Sequence, residues 1–124
     1  MQLKQEDITG LWRLMNYTVE KPNGKRCPLW PEIKGHLLFT LEGQISAVIV
    51  RLPLEDNRAC DIISYIGRYH VVGHRIHIDV LTSNVARHFI ESQRRKIHLK
   101  GEQLVMVLLG HPTGTHEVTW IREL

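Results

Sequence analysis

Turn signals recur at short intervals along this chain, and no segment between them carries the pattern of a long amphipathic helix. Pro22-Asn23-Gly24-Lys25, Glu42-Gly43, Val72-Gly73-His74, Lys100-Gly101-Glu102 and Gly110-His111-Pro112-Thr113-Gly114 each separate runs rich in β-forming residues. The runs predict eight strands, over 10–20, 35–42, 45–52, 64–72, 75–83, 92–100, 103–109 and 116–123. Loops this short favour antiparallel hairpins. Eight such strands in succession close into an up-and-down barrel, because closure removes exposed sheet edges. With 124 residues there is room for one core and not two, so the expectation is a single all-β domain over 1–124.

The two ends of the chain say how such a barrel is sealed. Trp12 stands in Gly10-Leu11-Trp12-Arg13-Leu14, and the last strand ends Trp120-Ile121-Arg122. A buried indole with a guanidinium stacked on its face makes a compact plug. Val118, Trp120 and Arg122 share strand parity, so they face one way. A barrel sealed at one end is a cup.

Two segments break the rhythm. Cys27-Pro28-Leu29-Trp30-Pro31-Glu32-Ile33 carries two prolines and reads as an ordered loop or a short edge segment. Residues 53–63 form the longest gap and suit a lid across the barrel mouth. Residues 84–91 read as a turn of helix or an irregular crossing.

Composition narrows the function classes. The chain is 43% hydrophobic and 23% charged, as in ordinary globular domains. It lacks the roughly 20-residue apolar run of a spanning helix. The N-terminus Met1-Gln2-Leu3-Lys4-Gln5-Glu6-Asp7 does not read as a secretory signal, which points to a cytoplasmic address. Cys27 and Cys60 sit in no metal or redox spacing and read as free thiols. The net charge is +3, with Arg94-Arg95-Lys96 the densest basic cluster. Aromatics are only 6% and none interrupts that cluster, which argues against nucleic acid. His70, His74 and His77 straddle a turn without a metal-ligand motif, and no serine occupies a nucleophile elbow. No cofactor is implied.

Several segments together carry a resemblance. They are Gly10-Leu11-Trp12-Arg13-Leu14, then Gly35-His36-Leu37-Leu38-Phe39-Thr40 running through Gly43 to Ile45-Ser46-Ala47, and Tyr65-Ile66-Gly67-Arg68-Tyr69. Ile76-His77, Ser83-Asn84, Gln93-Arg94-Arg95 and Gly101 leading to Leu104 follow in order. In these the chain resembles the bacterial and fungal lipocalin-like domain family, part of the calycin group of ligand-holding barrels. The resemblance implies a closed antiparallel barrel with an internal pocket. It implies no single activity, since barrels of this shape include carriers and recruited isomerases or cyclases. The chain departs from the family pattern in a shorter segment before Tyr65 and in Arg87-His88-Phe89 after Ser83-Asn84, both near the presumed mouth.

Strand alternation then nominates pocket residues. Tyr65, Gly67, Tyr69 and Val71 share a face, expected inward, where the hydroxyls either orient a ligand or are satisfied within the core. His77 and Asp79 share a face; if inward, His77 is a candidate acid–base group, and otherwise it fixes register. Gln93 and Arg95 share a face with Ile97 and Leu99. Arg95 is either an inward carboxylate-recognising fork or an exposed arginine beside Arg94 and Lys96. Leu14, Leu37, Phe39, Val48, Val50, Val71, Leu81, Leu104, Met106 and Leu108 are expected to line an apolar body. The leading expectation is a barrel that binds a small apolar or amphipathic ligand, with Phe39, Tyr65, Tyr69, His77 and Arg95 as its site. An isomerase or cyclase using His77 in the same cup, a filled adaptor barrel, and a homodimer stay open.

Overall fold

A computed structural model describes residues 3–28, 32–52, 62–85, 93–111 and 114–123. Among these, one short helix precedes nine strands. They are α1 (Gln5–Ile8), β1 (Gly10–Glu20), β2 (Arg26–Pro28), β3 (Ile33–Phe39), β4 (Gln44–Arg51), β5 (Ile62–Val72), β6 (Arg75–Ser83), β7 (Gln93–Lys100), β8 (Gln103–His111) and β9 (Gly114–Arg122). Each strand pairs antiparallel with its neighbours, and β1 pairs with both β3 and β9. That last pairing closes a ring of eight strands, β1 and β3 through β9. The short β2 hangs outside the ring, paired with β1 through Thr18–Pro28, Val19–Cys27 and Glu20–Arg26. Its proline terminates it, as expected of an edge segment.

Closure fixes which side chains are inside. In β3 Gly35, Leu37 and Phe39 are buried while Lys34, His36 and Leu38 are exposed; in β4 Ile45, Ala47 and Ile49 are buried. Register also shifts between Leu108 and His111 at the end of β8, and two β-bulges lie within the wall. One lies between Leu14 and Asn16 in β1 and puts Met15 and Asn16 outside, so that Tyr17 and Val19 return to the interior. The other lies where Gly67 of β5 meets Val80 of β6. A side chain at Gly67 would collide with the Asp79 carbonyl oxygen, so only glycine allows the two strands this close.

One end is sealed. Ile8, carried by α1, and Trp12 are wholly buried, with Phe39, Leu37, Ile45, Ile76, Ile78 and Leu104 packed around them. The Trp12 indole N–H donates to the Ile8 carbonyl at 2.8 Å. The Arg122 guanidinium lies 4.3 Å from the Trp12 ring centre and donates to the carbonyls of Asp7 (2.8 Å) and Thr9 (3.0 Å). One arginine therefore ties last strand, first strand and N-terminal helix together. The expected meeting of the chain ends at the base is what the structure shows. The helix itself was not legible beforehand: a single turn is too short to show a period.

Several expectations need correction. Val48 and Leu81 are exposed (40% and 53%) and Val50 shares the outer parity of Val48, so none of the three lines the interior. Ile45-Ser46-Ala47-Val48-Ile49-Val50 is apolar on both faces, so alternation could not choose between them. Leu81 follows His77 and Asp79 on the outer parity of β6, the face opposite the inward Ile76 and Ile78. The second run, 35–42, ends at Phe39 as β3 rather than at 42, because Leu41 and Glu42 form the turn. Most of the expected lid (53–61) and crossing (86–91), together with Cys60, lie outside the described residues.

Candidate functional site

The interior divides into two halves of different chemistry. Towards the base it is filled by the side chains just named. Towards the opposite end, inward positions hold Tyr17, Ile63, Tyr65, Val80, Arg95 and Val118, all only half-buried although they share the parity of fully buried neighbours. Gln93 and His116 join them and are covered (6% exposed each). Inward side chains that keep accessible surface border the space at the open end of the ring.

Tyr65 reaches this space from the middle of β5. Burial pushes its phenol up to about 12, and the nearby positive charge of Arg95 partly offsets that. Tyr69, four residues on, is placed differently. Its hydroxyl donates to the Thr40 carbonyl at 2.6 Å, and its ring meets Phe39 edge-on at 4.8 Å. Burial raises its pKa as well. Phe39 and Tyr69 are thus part of the sealed base, a floor beneath the pocket rather than its polar wall.

Arg95 enters on the inner face between Gln93 and Ile97, and its guanidinium is already engaged. It donates to the Gln93 side-chain oxygen at 3.0 Å and to the Arg94 carbonyl at 3.1 Å. Because a guanidinium only donates, the Gln93 oxygen must face it, which fixes the amide and turns its NH₂ away. That NH₂ and the Trp120 indole N–H are buried donors with no acceptor among the described residues. Each such orphan costs roughly 1–3 kcal/mol.

His77 is a correction. It lies on the outer wall, between the inward Ile76 and Ile78, opposite Arg94 of β7 and edge-on to His70 at 5.0 Å. Partial burial and the charges of Arg94, His70 and Arg75 lower its pKa. Asp79 shares that outer face and lies opposite Arg68. Neither reaches the interior, because the residues that alternate inward are the isoleucines.

The interior holds an acid–base pair that sequence reading missed. The Tyr17 hydroxyl and His116 Nδ1 are hydrogen-bonded at 2.9 Å across the β1–β9 seam, with the rings 5.6 Å apart. Strict alternation from Trp12 would have put Asn16 inside; the bulge puts Tyr17 there instead. The signal available was the polar break Asn16-Tyr17-Thr18 in an otherwise apolar inward series. Among the described residues, no group of three His, Cys, Asp or Glu side chains is placed to hold a metal ion. No helix among them is long and apolar enough to cross a membrane.

This ring of eight strands, plugged at one end and with a polar-walled space towards the other, matches a family model described as a lipocalin-like domain over residues 9–122. The chain belongs to the lipocalin-like domain family. Among solved structures it is similar to a lipocalin-like protein from Bacteroides uniformis, at 18% identity and a TM-score of 0.59, covering 94% of this chain and 99% of that one. It is similar to an uncharacterized protein from Bacteroides eggerthii at 14% identity and a TM-score of 0.54, covering 93% and 98%. A mutant of the fluorescent protein UnaG matches at 10% identity and a TM-score of 0.51, covering 96% and 98%. These identities carry the lipocalin-like fold alone. A search of curated proteins finds no match.

Proposed function

We propose that this lipocalin-like barrel binds one small apolar or amphipathic molecule in the half of its interior away from Trp12. The observation that carries the reading is the contrast along β5 and β6. Tyr69, Ile76 and Ile78 are covered, while Tyr65, Ile63 and Val80 keep accessible surface. Tyr65 adds support, because a phenol whose burial pushes it up to about 12, on an inward position, suits the lining of an internal cavity. The apolar wall of Ile63, Val80, Met106 and Val118 would hold the ligand body, over the floor of Phe39 and Tyr69. Tyr65 and Arg95 would meet an oxygen-bearing head, since both present donors and Arg95 brings charge. A cytoplasmic address belongs to the same proposal.

The test is fluorescence displacement with a panel of fatty acids, retinoid-like and polyketide-like compounds. Saturable one-site binding is expected, weakened about tenfold by Tyr65→Phe if its hydroxyl holds the head, as loss of one hydrogen bond to a charged group implies. Absence of binding across the panel would contradict the reading.

A second reading, an isomerase or cyclase in the same cup, is favoured by the Tyr17–His116 pair. A hydrogen-bonded phenol and imidazole facing a sheltered space form a proton-handling unit. This moves the acid–base candidate from His77 to His116. His116→Ala that keeps ligand affinity but abolishes conversion of a bound compound would support it; unchanged conversion would remove it.

A further inference from the structure

The Arg94-Arg95-Lys96 cluster takes no part in the pocket as a unit, yet the fold builds something from it. On the outer wall Arg75 of β6, Lys96 of β7 and Val107 of β8 lie on one rung, each the register partner of the next. Arg94 stands one step along the same face of β7, opposite His77. These four residues, with Arg95, line a cavity of about 140 Å³. Arg95 starts from the inner face, but its guanidinium folds back to the Arg94 carbonyl at 3.1 Å. One small cavity therefore gathers four cationic side chains.

Arg95 is already engaged by Gln93 and the Arg94 carbonyl, so the charge offered to the cavity rests on the other three. Among the described residues, the side chains of Arg75, Arg94 and Lys96 make no hydrogen bond or ion pair. Asp79 sits four residues from Arg75 and opposite Arg68, and Glu117 lies beyond Val107, bonded to Arg26 at 3.0 Å. The resulting positive field is felt by His77, whose protonation Arg94 and Arg75 oppose. Like charges held this close repel, and an anion bound among them removes that cost.

We propose that this cavity is an oxyanion site for a phosphate group, carried by a free phosphorylated molecule or by a lipid headgroup. A phosphate monoester carries about −1.5 to −2 charges at neutral pH and oxygens that suit guanidinium forks. The cavity is far below the ~300–1,000 Å³ of drug-sized sites, which fits one tetrahedral group. No aromatic side chain lines it, so it offers no stacking platform for a nucleic-acid strand. Its outer-wall cations Arg75, Arg94 and Lys96 take no part in the interior site.

The experiment has two arms on the full chain in phosphate-free, low-salt buffer. Calorimetric titration with pyrophosphate reads the free ligand. Sedimentation with phosphatidylcholine vesicles, with and without phosphatidic acid, reads the headgroup. Saturable binding is expected in at least one arm, falling about tenfold in Arg94→Gln and in Lys96→Gln, the scale of one charge-assisted contact. Lys100→Gln, on the same face of β7 but outside the cavity, should leave it unchanged. All three positions are exposed, and an unaltered thermal midpoint checks the fold of each variant. Binding of pyrophosphate alone identifies a free phosphate ligand, and binding only of phosphatidic acid vesicles identifies the headgroup. The proposal is overturned by absence of binding in both arms, by equal weakening in Lys100→Gln, or by capture of a single-stranded RNA oligomer with neither phosphate probe bound.

Discussion

The two halves of the barrel interior use the same wall strands for opposite ends. At the base, the large apolar side chains are covered and most buried polar groups are tied off: the Trp12 indole on Ile8, the Tyr69 hydroxyl on Thr40, the Arg122 guanidinium on Asp7 and Thr9, with the Trp120 indole N–H the exception among the described residues. Towards the other end the wall is Tyr17, Tyr65, Gln93, Arg95 and His116, a polar set of which Tyr17, Tyr65 and Arg95 keep accessible surface and in which the Gln93 amide donor has no partner among the described residues. A packed, saturated interior gives stability. An incompletely filled and incompletely satisfied one gives it up where a guest could supply the missing contacts. Substitutions in the two halves should therefore separate into those that unfold the chain and those that change what it holds.

Trp12→Ala should have the largest effect. Removing a wholly buried indole costs about 3–5 kcal/mol, read as a lowered urea midpoint. Arg122→Met comes next. It keeps much of the apolar stem over Trp12 but leaves two carbonyls of the helix region without their donor, for a loss of about 1–3 kcal/mol. If either substitution proves neutral, the base is not what holds the barrel shut.

Tyr65→Phe should change stability by no more than ~1 kcal/mol near neutral pH while weakening ligand binding, the reverse of Trp12→Ala. Its pH signature is more specific. The folded-state pKa, about 12, lies above the ordinary value of 10, so the unfolded chain gives up this proton first. The stability linked to Tyr65 is fully present below pH 10 and is lost as pH rises towards 12. Urea unfolding at pH 9 and 11 should show a steeper decline in the wild type than in Tyr65→Phe. Equal slopes would place the hydroxyl in water.

His77→Ala should matter least, within about ±0.5 kcal/mol and with no change in ligand affinity, as expected of an outer-wall side chain away from any packed feature. A large loss of affinity would return His77 to the pocket.

How far the sequence could be read depends on which signal each element carries. The strand cadence and the meeting of Trp12 with Arg122 were legible, because turn residues and one pair of large end residues leave few closed alternatives. The family resemblance rested on the same segments. Side-chain direction was legible only where polar and apolar residues alternate. It served for Gly35, Leu37 and Phe39 and failed for Val48 and Val50, where both faces of β4 are apolar. It also failed beyond the β1 bulge, since one extra residue reverses every later assignment; that is how Tyr17 was missed. His77 was misread for a related reason: isoleucines flank it on both sides, and they, not the imidazole, seek the core. Arg95 was placed on the correct strand with both orientations open. The structure shows it rooted inside and bonded back to its own strand.

The most direct test of the central claim is a backbone and side-chain NMR titration of the barrel with an amphipathic carboxylate that scores in displacement. The account predicts shifts concentrated at Tyr17, Ile63, Tyr65, Val80, His116 and Val118, with Ile8, Trp12 and Leu104 left in place. Shifts confined to the outer wall, or spread evenly over base and pocket alike, would contradict it.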